Sequence, residues 1–189
     1  MTNFLKKIKI LLYVAYAGFA VMALQAPAHA SPFGQGVFNA AVPFGSLTSL
    51  SLSLGGNVSL NLTSNGSDYT ATGSHTVTVT TNDVVGYSLY AYALGTSNMV
   101  SPTNTIPASG NSSAAPLTTN SWGYNTDGSG NYLGLTTTPT NIKTSYGSSL
   151  ATYKTGEATT VYYSVLAPFV KDAGTYQVNI VYLAASLSQ

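Results

Sequence analysis

His75-Thr76-Val77-Thr78-Val79-Thr80-Thr81-Asn82-Asp83, followed by Gly86-Tyr87-Ser88-Leu89-Tyr90-Ala91-Tyr92-Ala93, decides the fold class of this chain. In the first run His75, Val77, Val79 and Thr81 alternate with Thr76, Thr78 and Thr80. In the second, Tyr87, Leu89, Ala91 and Ala93 alternate with Tyr90 and Tyr92. A period of two is that of a strand with one buried face, and β-branched Thr suits a solvated pleated face. Asn82-Asp83 and Gly86 supply turn chemistry between the runs.

The pattern extends in both directions. Leu50, Leu52 and Leu54 alternate with Ser, Gly55-Gly56 follows, and Val58, Leu60 and Leu62 resume the alternation, which predicts a hairpin. Toward the C-terminus, Val161, Tyr163 and Val165 alternate with Tyr162, Ser164 and Leu166. Then Tyr176, Val178, Ile180 and Tyr182 alternate with Gln177 and Asn179, with Asp172-Ala173-Gly174 as the turn between these two strands. Short strands are expected at Trp122-Gly123-Tyr124, at Tyr132 to Leu135 and near Leu150 to Tyr153. Residues 95–121, crowded with Ser, Thr, Asn, Pro and Gly, read as a long loop. The expectation is an all-β chain, an antiparallel β-sandwich of roughly seven to nine strands. Val77, Val79, Leu89, Val161, Tyr163, Val165, Val178 and Ile180 should form its core.

The N-terminus reads differently. Lys6, Lys7 and Lys9 precede an apolar stretch from Ile10 to Leu24, and Ala28-His29-Ala30 is a small-x-small site. This is the layout of a cleaved signal peptide over residues 1–30. The apolar stretch is shorter than the roughly 20 residues that span a bilayer, and no later segment would span one after cleavage. Residues 31–45, with Phe33, Val37, Phe38, Val42 and Phe44 interrupted by Gly34, Gly36 and Pro43, read as an N-terminal extension or edge strand. Residues 46–189 form the sandwich. The expected location is the extracellular cell surface.

Charge is scarce. Beyond residue 30 the only acidic, basic or imidazole side chains are His75, Glu157, Asp68, Asp83, Asp127, Asp172, Lys143, Lys154 and Lys171, and there is no Cys anywhere. Clustered basic residues, which nucleic acid requires, are missing, and disulfides cannot contribute to stability. His75, in phase with Val77 and Val79, reads as a structural histidine. No Gly-x-Ser-x-Gly elbow exists, and Glu157 has only scattered Asp residues as partners for carboxylate chemistry. No enzyme activity, catalytic residue or cofactor is therefore expected. Asn125-x-Asp127-x-Ser129-Gly130-Asn131 resembles the start of a calcium loop, but Thr136 stands where a bidentate Glu is needed. An Asx/Gly turn is expected there instead, and no metal site.

What remains is shape and aromatic surface. Trp122, Tyr124, Tyr132 and Tyr146 fall in or near expected loops, where exposed rings would bind a cell-envelope polymer or surface protein. A single Trp equally suits a core plug, which is the first expectation for Trp122. Self-association of a filament or layer subunit through added strands is an alternative, and a carbohydrate-binding module is a second.

Val77-Thr-Val79-Thr-Thr-Asn82 with Gly86-Tyr87-Ser88-Leu89 resembles the first half of WxL-type bacterial surface domains. Ala173-Gly174-Thr175-Tyr176 leading to Val181-Tyr182 resembles their closing strand. Tyr87 and Tyr182 stand where that family has Trp, and Ala184 where it has the second Leu. The resemblance spans roughly residues 47–184. It implies an all-β, non-enzymatic domain held non-covalently at the cell wall.

Overall fold

The computed structural model describes residues 49–83, 85–147 and 155–187, all within the compact unit Gly36–Gln189. The expected signal peptide, the 31–45 extension and the strand near Leu150 to Tyr153 lie outside the described residues. Among the described residues there are ten strands: β1 (Leu50–Leu54), β2 (Thr63–Ser64), β3 (Asp68–Thr81), β4 (Gly86–Ala93), β5 (Met99–Val100), β6 (Thr105–Ile106), β7 (Ser121–Asn125), β8 (Thr140–Tyr146), β9 (Glu157–Pro168) and β10 (Ile180–Ser186). The fold is all-β and its strand pairs are antiparallel.

One sheet runs β1-β3-β9-β7, with β2 on β3. A second runs β10-β4-β8, and β5 and β6 make a small ribbon. The inward faces follow from the period-two pattern. Register places Ala71 opposite Val165, His75 opposite Val161 and Val77 opposite Thr159, so the apolar positions of β3 and β9 share one face. Tyr87, Leu89, Ala91 and Ala93 of β4 turn the same way as Ala184, Tyr182 and Ile180 of β10. These faces meet in one apolar cluster that holds Val77, Val79, Tyr87, Leu89, Trp122, Tyr124, Val161, Tyr163 and Val165. Val178 and Ile180, expected in the core, are half-buried and pack on its margin, because β10 lies at the edge of its sheet.

Three connections differ from expectation. The Gly55-Gly56 hairpin does not form: β1 pairs with β3, and Gly55 N–H continues that ladder by donating to Thr76 O at 2.8 Å. Val58 and Leu60 instead pack on the core over Gly73, where a Cβ would lie 2.9 and 2.7 Å from their side chains. The closing strands are not a hairpin either, since β9 and β10 belong to different sheets and residues 169–179 join them. Residues 132–135 contribute isolated bridges, Ala115 with Tyr132 and Tyr124 with Leu133, rather than a strand.

β3 and β4 also lie in different sheets, and the Asn82-Asp83 turn carries the chain across. Asn82 Oδ1 accepts from Ser49 N–H at 2.6 Å and Asp83 Oδ1 from Val85 N–H at 2.9 Å. Gly86 then enters β4 with a φ of 115°, where a Cβ would sit 2.0 Å from Ser145 O. Only glycine serves there, for both conformation and space.

Candidate functional site

Two groups of chemistry-bearing side chains tie the two sheets together. His75 on β3 is held at both ring nitrogens, Nδ1 2.9 Å from Gly56 O and Nε2 2.7 Å from Tyr182 Oη on β10. A carbonyl can only accept, so Nδ1 carries the proton. In the neutral ring Nε2 then accepts from Tyr182, whose hydroxyl is in turn hydrogen-bonded to that of Tyr163 on β9. Burial raises the Tyr163 phenol well above its ordinary value, reinforced by Tyr182. Burial also pushes Tyr182 up to about 12, partly opposed by the hydrogen bond with Tyr163.

Glu157, at the start of β9, makes the second tie. Its carboxylate accepts from Ser145 Oγ at 2.6 Å and Tyr87 Oη at 3.0 Å, and pairs with Lys143 Nζ at 2.6 Å. Lys143 and Ser145 belong to β8 and Tyr87 to β4, so one carboxylate joins three strands. Burial works to raise Glu157, but the bonds from Lys143, Ser145 and Tyr87 prevail and hold it below its ordinary value. The Tyr87 phenol is raised by burial and by that carboxylate.

The aromatic residues expected at the surface divide. Trp122 is 2% exposed and donates its indole N–H to Ser97 O at 2.9 Å. Tyr124 is 3% exposed, and burial raises its phenol. Both β7 rings face the core, so neither offers a binding surface. Tyr132 is half-buried beside Ala115, while Tyr146 is 82% exposed at the end of β8, paired with Gly86 in the other sheet. These four residues therefore do not form one patch. The Asp127 segment is an Asx turn: Asn125 Oδ1 accepts from Gly128 N–H and Asp127 Oδ1 from Ser129 N–H, each at 3.0 Å. The bonds from Ser129 also lower the Asp127 carboxyl.

A recess of about 330 Å³ opens beside β9, lined by Thr126, Asp127, Ile142, Lys143, Ala158, Thr159, Thr160 and Tyr162. It exists because β7 is short. β3 pairs with β9 from Glu157 to Pro168, whereas β7 covers only Tyr162 to Leu166 before turning away at Asn125. Among the described residues, no strand pairs with Glu157–Val161 on that side. Tyr162, 36% exposed, packs by Gly128 at the upper end, and β8 supplies Ile142 and Lys143 as the far wall. Thr159 is 7% exposed, with its hydroxyl buried. It lies beside the Tyr87 phenol, whose hydroxyl is directed at Glu157.

The recess combines a ring, hydroxyls, one charge of each sign and bare backbone. Sequence reasoning missed it because β8 carries little apolar alternation, and because an absent partner strand leaves no mark on the residues that lack it. The usable signal was Tyr162, an aromatic on the solvent phase of a strong strand. Comparison of the chain with known protein families, curated proteins and solved structures finds no match.

Proposed function

We propose that this chain is a non-enzymatic, secreted β-sandwich domain that associates non-covalently with the cell envelope or with a protein on it. The observation that carries this is the recess beside β9, where binding groups converge on Tyr162 and the open strand. Support for a non-catalytic role comes from how the reactive groups are used: both nitrogens of His75 and both oxygens of Glu157 are bonded within the fold. The two triplets that resemble WxL motifs are neighbours in the fold. Tyr87-Ser88-Leu89 and Tyr182-Leu183-Ala184 lie on adjacent strands, with Ala184 opposite Leu89 and Tyr182 opposite Ala91. Both triplets turn their first and third residues inward, so their role here is in packing. Surface attachment falls to the recess.

Co-sedimentation with isolated cell envelope tests this. The exported protein, beginning at Ser31 by mass spectrometry, should pellet with the envelope. Pelleting should persist in EDTA and weaken only modestly with salt, since few charges are available to screen. Tyr162→Ala should release it into the supernatant, while Tyr146→Ala should not. Binding lost in EDTA, or unchanged by Tyr162→Ala, would overturn the proposal.

A further inference from the structure

Building on that partner-binding role, we propose that the open stretch of β9 accepts an extended strand from a second copy of this chain, supplied by residues 38–44. The hydrogen-bonding direction of this edge follows from β7. Trp122 N–H donates to Pro107 O and Tyr124 N–H to Leu133 O, so those two residues direct their backbone away from β9. Ser121, Gly123 and Asn125 therefore face β9, opposite Leu166, Ser164 and Tyr162. Continuing the alternation, Ala158 and Thr160 turn their N–H and C=O groups to the open side, beneath the point where β7 departs. The spacing of those groups is complementary to another peptide backbone, and Ala158, Thr159 and Thr160 line the same recess. Such an edge normally carries charge or proline as a guard against pairing. Here the nearby Lys143 is already neutralised by Glu157.

The donor is named by pattern and by position. Phe38, Ala40, Val42 and Phe44 alternate with Asn39, Ala41 and Pro43, the period of a half-buried strand. The chain enters β1 at the end of the sheet where β9 begins, since Leu50 pairs with Thr81 and Glu157 with Val79. To reach its own open edge, residues 38–44 would have to connect past the ends of β3 and β9. The link from β3 to β4 and the entry to β9 already leave the sheet at that end. Connections rarely cross at one end of a sheet, whereas a neighbouring molecule imposes no such crossing. Donor and acceptor are different surfaces, so the contact is heterologous and can propagate into an open chain.

The absence of cysteine gives a clean test. Thr160→Cys protein is mixed with Asn39→Cys, Ala40→Cys or Ala41→Cys protein and mildly oxidised. A disulfide-linked heterodimer is expected with at least one donor position and none with Tyr146→Cys as acceptor. In parallel, Thr160→Pro removes an amide that the β3 ladder does not use. It should keep the circular dichroism and melting temperature of the parent but lose the oligomers seen in sedimentation velocity. If Thr160→Pro misfolds, hydrogen exchange of the Ala158 and Thr160 amides in the unmodified chain decides instead, slowing as protein concentration rises. The inference is overturned by a monomer at high concentration, by exchange that does not respond to concentration, or by no heterodimer above the control. A bond forming only within a Thr160→Cys, Ala40→Cys double variant would also overturn it, by showing that the chain fills its own edge. Monomeric protein that still pellets with envelope would sink strand exchange alone. Protein that neither pellets nor associates would sink the proposed function as well.

Discussion

Trp122 and Tyr182 show how single residues commit this chain to its fold. Trp122 fills the core between the sheets and its indole N–H is satisfied by Ser97 O, so removing the ring leaves both a cavity and an unpaired carbonyl. Trp122→Ala should destabilise by about 3–5 kcal/mol, the range for losing a buried large aromatic, as measured by urea denaturation. Loss of envelope binding without loss of stability would show that the ring works at a surface after all. Tyr182→Phe is the subtler change. It keeps the packing but strands His75 Nε2 and the Tyr163 hydroxyl together. A double-mutant cycle with Tyr163→Phe should therefore show strong coupling, because the second substitution removes a hydroxyl that has already lost its partner.

Among elements, β9 makes the most varied connections. It pairs along its length with β3, partly with β7, and reaches across to β8 and β4 through Glu157. The Glu157 carboxyl is held below its ordinary value of 4.5. The folded state thus binds this proton less readily than the unfolded chain, and the stabilisation is present above pH 4.5. It is lost as pH falls through the lower folded value. Glu157→Gln should flatten this acid limb of the stability curve while lowering stability at neutral pH. An acid limb unchanged in the variant would place the effect elsewhere. The long strands β3, β4 and β9 were legible from sequence because each buries one face along most of its length, which imposes a strict period of two. β8 was not, because Thr140, Asn141, Thr144 and Ser145 make both faces polar and a register shift opposite Leu89/Tyr90 breaks the period. The recess was illegible for a related reason: alternation reports which face is buried, never which edge is paired.

At the scale of the whole molecule, two packed sheets are held without a disulfide by an apolar core threaded with phenols. Tyr87 and Tyr182 stand on one sheet and Tyr163 on the other, and burial raises all three above their ordinary value of 10.0, Tyr182 to about 12. A tyrosinate in the unfolded chain forms near pH 10, while the folded chain still holds the proton. Between those values the folded state binds more protons than the unfolded, so stability is intact below pH 10 and falls as pH rises toward and through 12. Ionising any of these phenols in place would leave a desolvated charge. They should ionise together with unfolding. Tyrosinate absorbance and far-ultraviolet circular dichroism, followed through an alkaline titration, should therefore change in one coincident step above pH 10 for these three residues. Because β3 and β9, and likewise β4 and β10, pair across most of the chain's length, refolding on return to neutral pH should take milliseconds to seconds, as expected of non-local β topologies. A separate ionisation of the buried phenols with the dichroism unchanged would mean that water reaches them in the folded state, and that the interface between the sheets is looser than its packing implies.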